Sequence, residues 1–295
     1  MTRRVLAGWG ARAVKRPVRV EMDVVVTHRN GRLPAVAGLP VGLWSGVQIC
    51  NNSAMQNIIW KGRLGPMELT TSESTFVPST ISQLVAKVLE IREGDIVIDV
   101  GCGTGILGII AAKLGAARVY GIDASPDVVE VGAKNAGAHG VADRMMFFHG
   151  DLFDPLPDDV LADVIIGDVS GIPDSLAAES GWFPSKSGGG PRGSELPVRM
   201  LNEARRRLKE GGRLFLPTGT LQDEGAILEA ARSAFGNLIK LTERPIPLAG
   251  ALAEAKSLKR LIDDGIVDLT QRGSRLLWEA RVWLCATNAS VVGPV

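Results

Sequence analysis

Three glycines, Gly101, Gly103 and Gly105, interrupt the string IVIDVGCGTG between an apolar β-branched run and an apolar helical stretch. Glycines there permit a tight turn and let backbone amides approach a ligand, while the helix start offers its partial positive charge. Gly103, Gly105 and Gly108 also satisfy the GxGxxG spacing of a dinucleotide fingerprint, so the turn alone leaves a nicotinamide dinucleotide open. Three acids narrow the choice. Asp99 precedes the first glycine by two residues, where a carboxylate can face a cationic or amine-bearing ligand and would repel a diphosphate. Asp123 ends RVYGID, where an acid can accept from both hydroxyls of a ribose. Asp151, in HGDLF, ends a third strand and can accept from an adenine amino group. Carboxylates at three successive strand ends suit an adenosine that carries an amino-acid tail and no phosphate. S-adenosylmethionine is such a ligand. The neighbouring Thr104, Ala124 and Leu152 are counted with these residues as cofactor-binding candidates.

Those positions demand a particular scaffold. DIVIDV, RVYGID, MMFFHGDL, DVIIGDV and GRLFLP read as apolar strands, and GILGIIAAKLG, PDVVEVGAKNAGAHG and VRMLNEARRRLKEGG as helices between them. Strands alternating with helices predict βαβ units and a largely parallel sheet. ISQLVAKVLEI is a helix ahead of the first of these strands. After GRLFLP come the helix EGAILEAARSAF, a strand at LIKLTE, a helical insert near 249–265 and a last strand around WEARVWLCA. Residues 1–73 read as a small β-rich segment and possible substrate cap, with strands in PVRVEMDVVVTHR and GLWSGVQIC; residues 74–295 form the α/β domain. SKSGGGPRGSE is the one flexible-looking run.

The stretch from Val97 to Ala136 resembles the cofactor half of class I S-adenosylmethionine-dependent methyltransferases, and the likeness extends over roughly residues 74–236. It implies a doubly wound, Rossmann-like sheet of seven strands with the last antiparallel. STFVPS is similar to the aromatic-x-proline entry to the cofactor pocket of the HemK-type glutamine methyltransferases, here Phe76 and Pro78. HGDLFDPLP resembles that family's adenine-side turn, and GGGPRGSE followed by GRLFLPTGTLQDE its glycine-rich loop and sixth strand. Where that family carries Asn-Pro-Pro-Tyr, this chain reads IIGDVSGIPD. With Ile172-Pro173 setting the register, Asp168 takes the place of the asparagine, Val169 and Ser170 those of the prolines, and Gly171 that of the tyrosine. An aspartate accepts hydrogen bonds and can bear charge. It suits an amine, guanidine or hydroxyl that must lose a proton, as orienter or general base. GCGTGILGIIAAKLGAARVYGIDAS also resembles the first motifs of protein arginine and ribosomal-protein methyltransferases; Glu179 alone answers the paired glutamates of the arginine enzymes.

Asp168 is therefore the catalytic candidate, and Ser170, Trp182 and Arg192 are the acceptor contacts, the arginine as a clamp for carboxylate or phosphate. Composition sets the rest. With 33 basic against 32 acidic side chains the net charge is +1, which gives no field to gather nucleic acid or an anionic membrane. Three scattered cysteines, and histidines at 28, 139 and 149, show no metal spacing. No stretch is apolar enough to span a bilayer, and the cysteine usage fits a reducing cytoplasm. The run Arg205 to Lys209 reads as a solvated helix end. The expectation is a cytoplasmic methyltransferase acting on a small molecule. The alternatives are a protein methyltransferase acting on a release factor or ribosomal protein, with residues 1–70 docking the target, and a non-catalytic module on the same fold.

Overall fold

The computed structural model describes residues 55–180 and 188–287. The strands expected before residue 51, the basic N-terminal arm and Trp182 lie outside the described residues.

A hairpin of β1 (Gln56–Trp60) and β2 (Met67–Thr71) comes first, antiparallel, with Trp60 opposite Met67. It is anchored through α3 (Val128–Ala138): Asn135 accepts from the Thr70 amide at 2.7 Å and donates to the carbonyls of Thr70 and Thr104. That buried amide has hydrogen-bond partners for both its oxygen and its nitrogen where the hairpin meets the glycine turn. A strap of residues 72–79 then leads into α1 (Thr80–Val88), which a Ser79–Ser82 capping box starts.

The main sheet is built from β3 (Ile96–Val100), β4 (Arg118–Asp123), β5 (Met145–His149), β6 (Ala162–Gly167), β7 (Leu208–Gly219), β8 (Gly236–Pro247) and β10 (Arg275–Thr287). Their spatial order is β5-β4-β3-β6-β7-β10-β8, and β10 runs antiparallel to both its neighbours, as expected for the last strand. A short β9 (Thr270–Arg272) pairs with the start of β10. β3 shows why the sheet is doubly wound: Val97 packs into one apolar cluster, Ile98 and Val100 into the cluster on the other face. On one side lie α1 and α2 (Ile106–Lys113); on the other lie α5 (Glu195–Arg207) and α6 (Glu224–Phe235).

Two boundaries differ from the sequence reading. The helix expected to run on to Gly212 stops at Arg207, because Leu208 already pairs with Ala162 in the sheet. Pairing resumes at Arg213 opposite Val164, so the glycines of LKEGG serve a bulge rather than a helix end. The second is a short α4 (Asp174–Ser180) that periodicity did not announce. The insert is two pieces, α7 (Gly250–Ala253) and α8 (Lys256–Asp263). Glu179 accepts from the amides of Lys256 at 2.5 Å and Ser257 at 3.2 Å, so the single glutamate is the cap of α8. No helix among the described residues is long and apolar enough to cross a membrane.

Candidate active site

A cleft of about 1330 Å³ opens along the carboxyl ends of the parallel strands, where open α/β sheets bind their ligands. Its floor is the glycine turn. Gly101 has φ +76°, and a Cβ there would stand 2.5 Å from the Asp168 carbonyl; Gly103 has φ +51°, and its Cβ would meet the Phe76 carbonyl at 3.2 Å. Only glycine lets the turn after β3, the loop after β6 and the strap converge this closely.

On the β4 side, Asp123 accepts from the amides of Gly103 and Ser125, each at 2.8 Å. Both carboxylate oxygens keep acceptor capacity toward the cleft. The strap is fastened beside it: Ser74 donates to Asp127 at 2.8 Å and lies 2.7 Å from the Ser125 hydroxyl. Phe76, Val77 and Pro78 complete that wall, with Thr104, Ala124, Asp151 and Leu152. Asp151 is half-exposed and paired with Arg199 at 2.7 Å. The Thr104 hydroxyl is buried without a partner.

Two of the cofactor candidates stand elsewhere. Asp99 does not line the cleft. Its side chain is 0% exposed behind the turn; one oxygen accepts from the Gly108 amide at 2.9 Å, and the other has no partner. Burial, and then the charge of Asp168, push its pKa up to about 8, so the group is a neutral acid at lower pH. Gly105 also lies off the cleft, as the left-handed N-cap of α2 against the ring of Phe147.

The opposite side of the cleft begins at Asp168, the catalytic candidate, which accepts from the Ser82 hydroxyl at 3.1 Å. Burial pushes its pKa up to about 6, and the Ser82 bond holds it below what burial alone would give. Ser170 also lines the cleft, its hydroxyl buried and unpartnered. The glycine-rich run braces this loop from behind. Asp174 accepts from the amides of Gly188 at 2.8 Å and Gly190 at 3.2 Å, and the Gly189 amide donates to the Ile172 carbonyl. Arg192 is not the expected clamp. It is not among the residues that line the cleft, and it pairs at 2.8 Å with Asp223, whose other oxygen caps α6. The far wall, which motif reading missed, consists of Thr218, Gln222, Ile246, Pro247 and Trp278. Ser82 could have been found as the capping-box partner of Ser79. The far wall carries no local signal, since strand pairing alone brings Ile246 beside Trp278.

Residues 79–179 match the family model of ribosomal protein L11 methyltransferases (PrmA). The ribosomal protein L11 methyltransferase of Aeromonas hydrophila is 47% identical over 78 residues, 26% of this chain and 25% of that protein. The enzyme of that name from Serratia proteamaculans is 43% identical over 97 residues, 32% of each. The chain thus spans a quarter to a third of the length of these curated relatives. Among solved structures, the T. thermophilus 16S rRNA N2 G1207 methyltransferase superposes with a TM-score of 0.53 at 15% identity, over 79% of this chain and 51% of that one. The M. jannaschii tRNA m1G37 methyltransferase gives 0.51 at 13% identity, over 79% and 57%.

The fold is the Rossmann-like methyltransferase fold. Two expectations are corrected by these findings. The family that matches is the L11 methyltransferases, and the particular likeness to HemK-type enzymes is not supported. A small-molecule acceptor is overturned, because the matched relatives are named for a protein substrate.

Proposed function

We propose that this chain is a cytoplasmic S-adenosylmethionine-dependent methyltransferase whose acceptor is a nitrogen on a polypeptide, a ribosomal protein of the L11 kind being the leading candidate. The observation that carries this reading is the charge of the cleft. Among the described residues that line it, four are acids (Glu73, Asp123, Asp151 and Asp168) and none is lysine, arginine or histidine. Such a cavity favours a cationic ligand and has nothing to neutralise a diphosphate, which disfavours a nicotinamide dinucleotide. The unpartnered Thr104 hydroxyl and the close-packed glycines at 101 and 103 are further features that suit an adenosine with an amino-acid tail.

Bound there, the cofactor supplies an electrophilic methyl group. Asp123 would hold the ribose hydroxyls, the strap would cover the adenosine, and the Phe76–Pro78 wall would exclude water. Asp168 would attract an amine to the mouth of the same cleft, orient its lone pair and accept a proton from it. The group held by Asp123 and the strap would supply the methyl, and Asp168 would take the proton that the acceptor nitrogen gives up.

The test is calorimetric titration with S-adenosylmethionine, S-adenosylhomocysteine and NAD, followed by transfer of labelled methyl to purified ribosomal protein L11, release factors and free amines. Micromolar binding of the first two ligands and label on L11 support the reading. Binding of NAD alone sinks the cofactor, and label confined to free amines sinks the polypeptide acceptor.

A further inference from the structure

β10 outruns its neighbour. Ala280 is opposite Gly219, the last residue of β7, yet β10 begins five positions earlier, at Arg275. At about 3.4 Å per residue, this overhang rises roughly 17 Å above the strand ends. β8 rises with it, Ile246 beside Trp278 and Pro247 beside Leu277, and β9 covers the tip. Ile246, Pro247 and Trp278 line the cleft, so the overhang continues the acceptor wall outward.

At its tip, Arg272 and Arg275 face each other across the Gly273–Ser274 turn. Like charges directly opposed on an antiparallel pair are destabilising. Nothing local offsets that cost. Both residues are exposed, and among the described residues neither guanidinium has a carboxylate within ion-pair distance. Lower on the same two strands, away from the cleft lining, the charges are matched: Arg281 of β10 with Glu224, and Glu243 with Lys240 on β8. The tip therefore carries two unpaired positive charges above a cleft whose charged lining residues, among those described, are all acids.

We propose that this hairpin docks an acidic stretch of the acceptor, with Arg272 and Arg275 each able to take a carboxylate in bidentate fashion. The inference rests on the polypeptide reading above and deepens it. The acceptor would present a nitrogen to Asp168 and acidic side chains to the rim. Arg275 lies three residues along β10 from Trp278, about 10 Å, so the acidic stretch would sit a few residues from the modified nitrogen.

Fluorescence anisotropy with the full chain tests this without requiring turnover. The probes are labelled peptides bearing four consecutive glutamates, alanines or lysines, and a labelled poly(U) RNA, each with wild type and the R272E/R275E variant. The glutamate peptide is expected to bind at least 10-fold more tightly than the alanine peptide, to lose that margin in the variant, and to weaken with added salt. Equal binding of the glutamate and alanine peptides, or a margin retained in the variant, overturns the proposal. Tighter binding of poly(U), lost in the same variant, overturns it in favour of a nucleic-acid dock. S-adenosylmethionine titration of both proteins runs alongside. Loss of cofactor binding in both would count against the methyltransferase reading, whereas a failed peptide margin with cofactor binding intact counts against the dock alone. Unchanged melting and cofactor affinity in the variant show that it folds.

Discussion

The proposed cofactor side of the cleft is made by neighbours in the chain; the proposed acceptor side is made by strangers. Gly101, Gly103, Thr104, Asp123 and Ala124 lie within two dozen positions, each at a strand end whose place follows from local alternation of strand and helix. The acceptor wall draws Ser82 from the first helix, Asp168 and Ser170 from the loop after β6, Thr218 from β7, Ile246 from β8 and Trp278 from β10. The family match, over residues 79–179, takes in the first region together with Ser82, Asp168 and Ser170, and stops short of Thr218, Ile246 and Trp278. The difference teaches that one wall of the cleft can be read from a short motif, while the opposite wall is a property of sheet topology.

Substitutions can break or sharpen this division. The largest effect is expected for Asp123→Ala. Losing two charge-assisted hydrogen bonds costs about 3 kcal/mol or more, so the cofactor dissociation constant should rise by about 100-fold or beyond by calorimetry. A change under a few-fold would remove Asp123 from the cofactor side. Asp168→Asn should do the opposite: an affinity close to wild type, with kcat down by about 100-fold. The wild-type rate should rise as pH passes upward through about 6, where Asp168 ionises, and the variant should lack that limb. An equal fall in affinity and rate would erase the distinction between the sides.

Gly101→Ala tests the point where they meet. It forces a side chain into a left-handed backbone, costing about 1–2 kcal/mol, and drives a Cβ against the Asp168 carbonyl. Melting should fall by several degrees, and both cofactor affinity and rate should suffer. Asp99→Asn has a smaller effect that depends on pH. The folded pKa of Asp99, about 8, lies above its ordinary value of 3.8, so the fold favours the protonated acid and loses stability as pH rises between those values. The melting temperature of the variant should decline less than wild type between about pH 5 and pH 8; identical slopes would assign the unpartnered oxygen no such cost. Smallest of all, Glu179→Ala should lower melting slightly through loss of the α8 cap and leave cofactor affinity unchanged.

Much of the parallel sheet was legible, because β3 and β6 are short apolar runs buried on both faces and α1 and α5 carry a strong helical period. The bulge at residues 209–212 was not, since LKEGG continues a helical pattern until sheet pairing overrides it. Asp123 was legible as a strand-end acid. Asp99 was misplaced because position before a glycine turn does not say which way a side chain faces: in β3 it turns inward, to the Gly108 amide. Arg192 was misplaced because a loop arginine beside glycines looks free until the helix-capping Asp223 is brought to it.

The sequence by itself determined the βαβ order, the glycine turn and the acids at successive strand ends, because these depend on residues within a turn or two of one another. Only the tertiary structure decided that Asp99 is sealed behind the turn, that Glu179 caps a helix, and that β10 overhangs β7 to raise two arginines above an acidic cleft. Those outcomes depend on contacts between residues far apart in the chain, such as Glu179 with the Lys256 amide, 77 positions away, and Gly219 with Ala280 across β7 and β10. No local pattern encodes which distant strand will lie alongside.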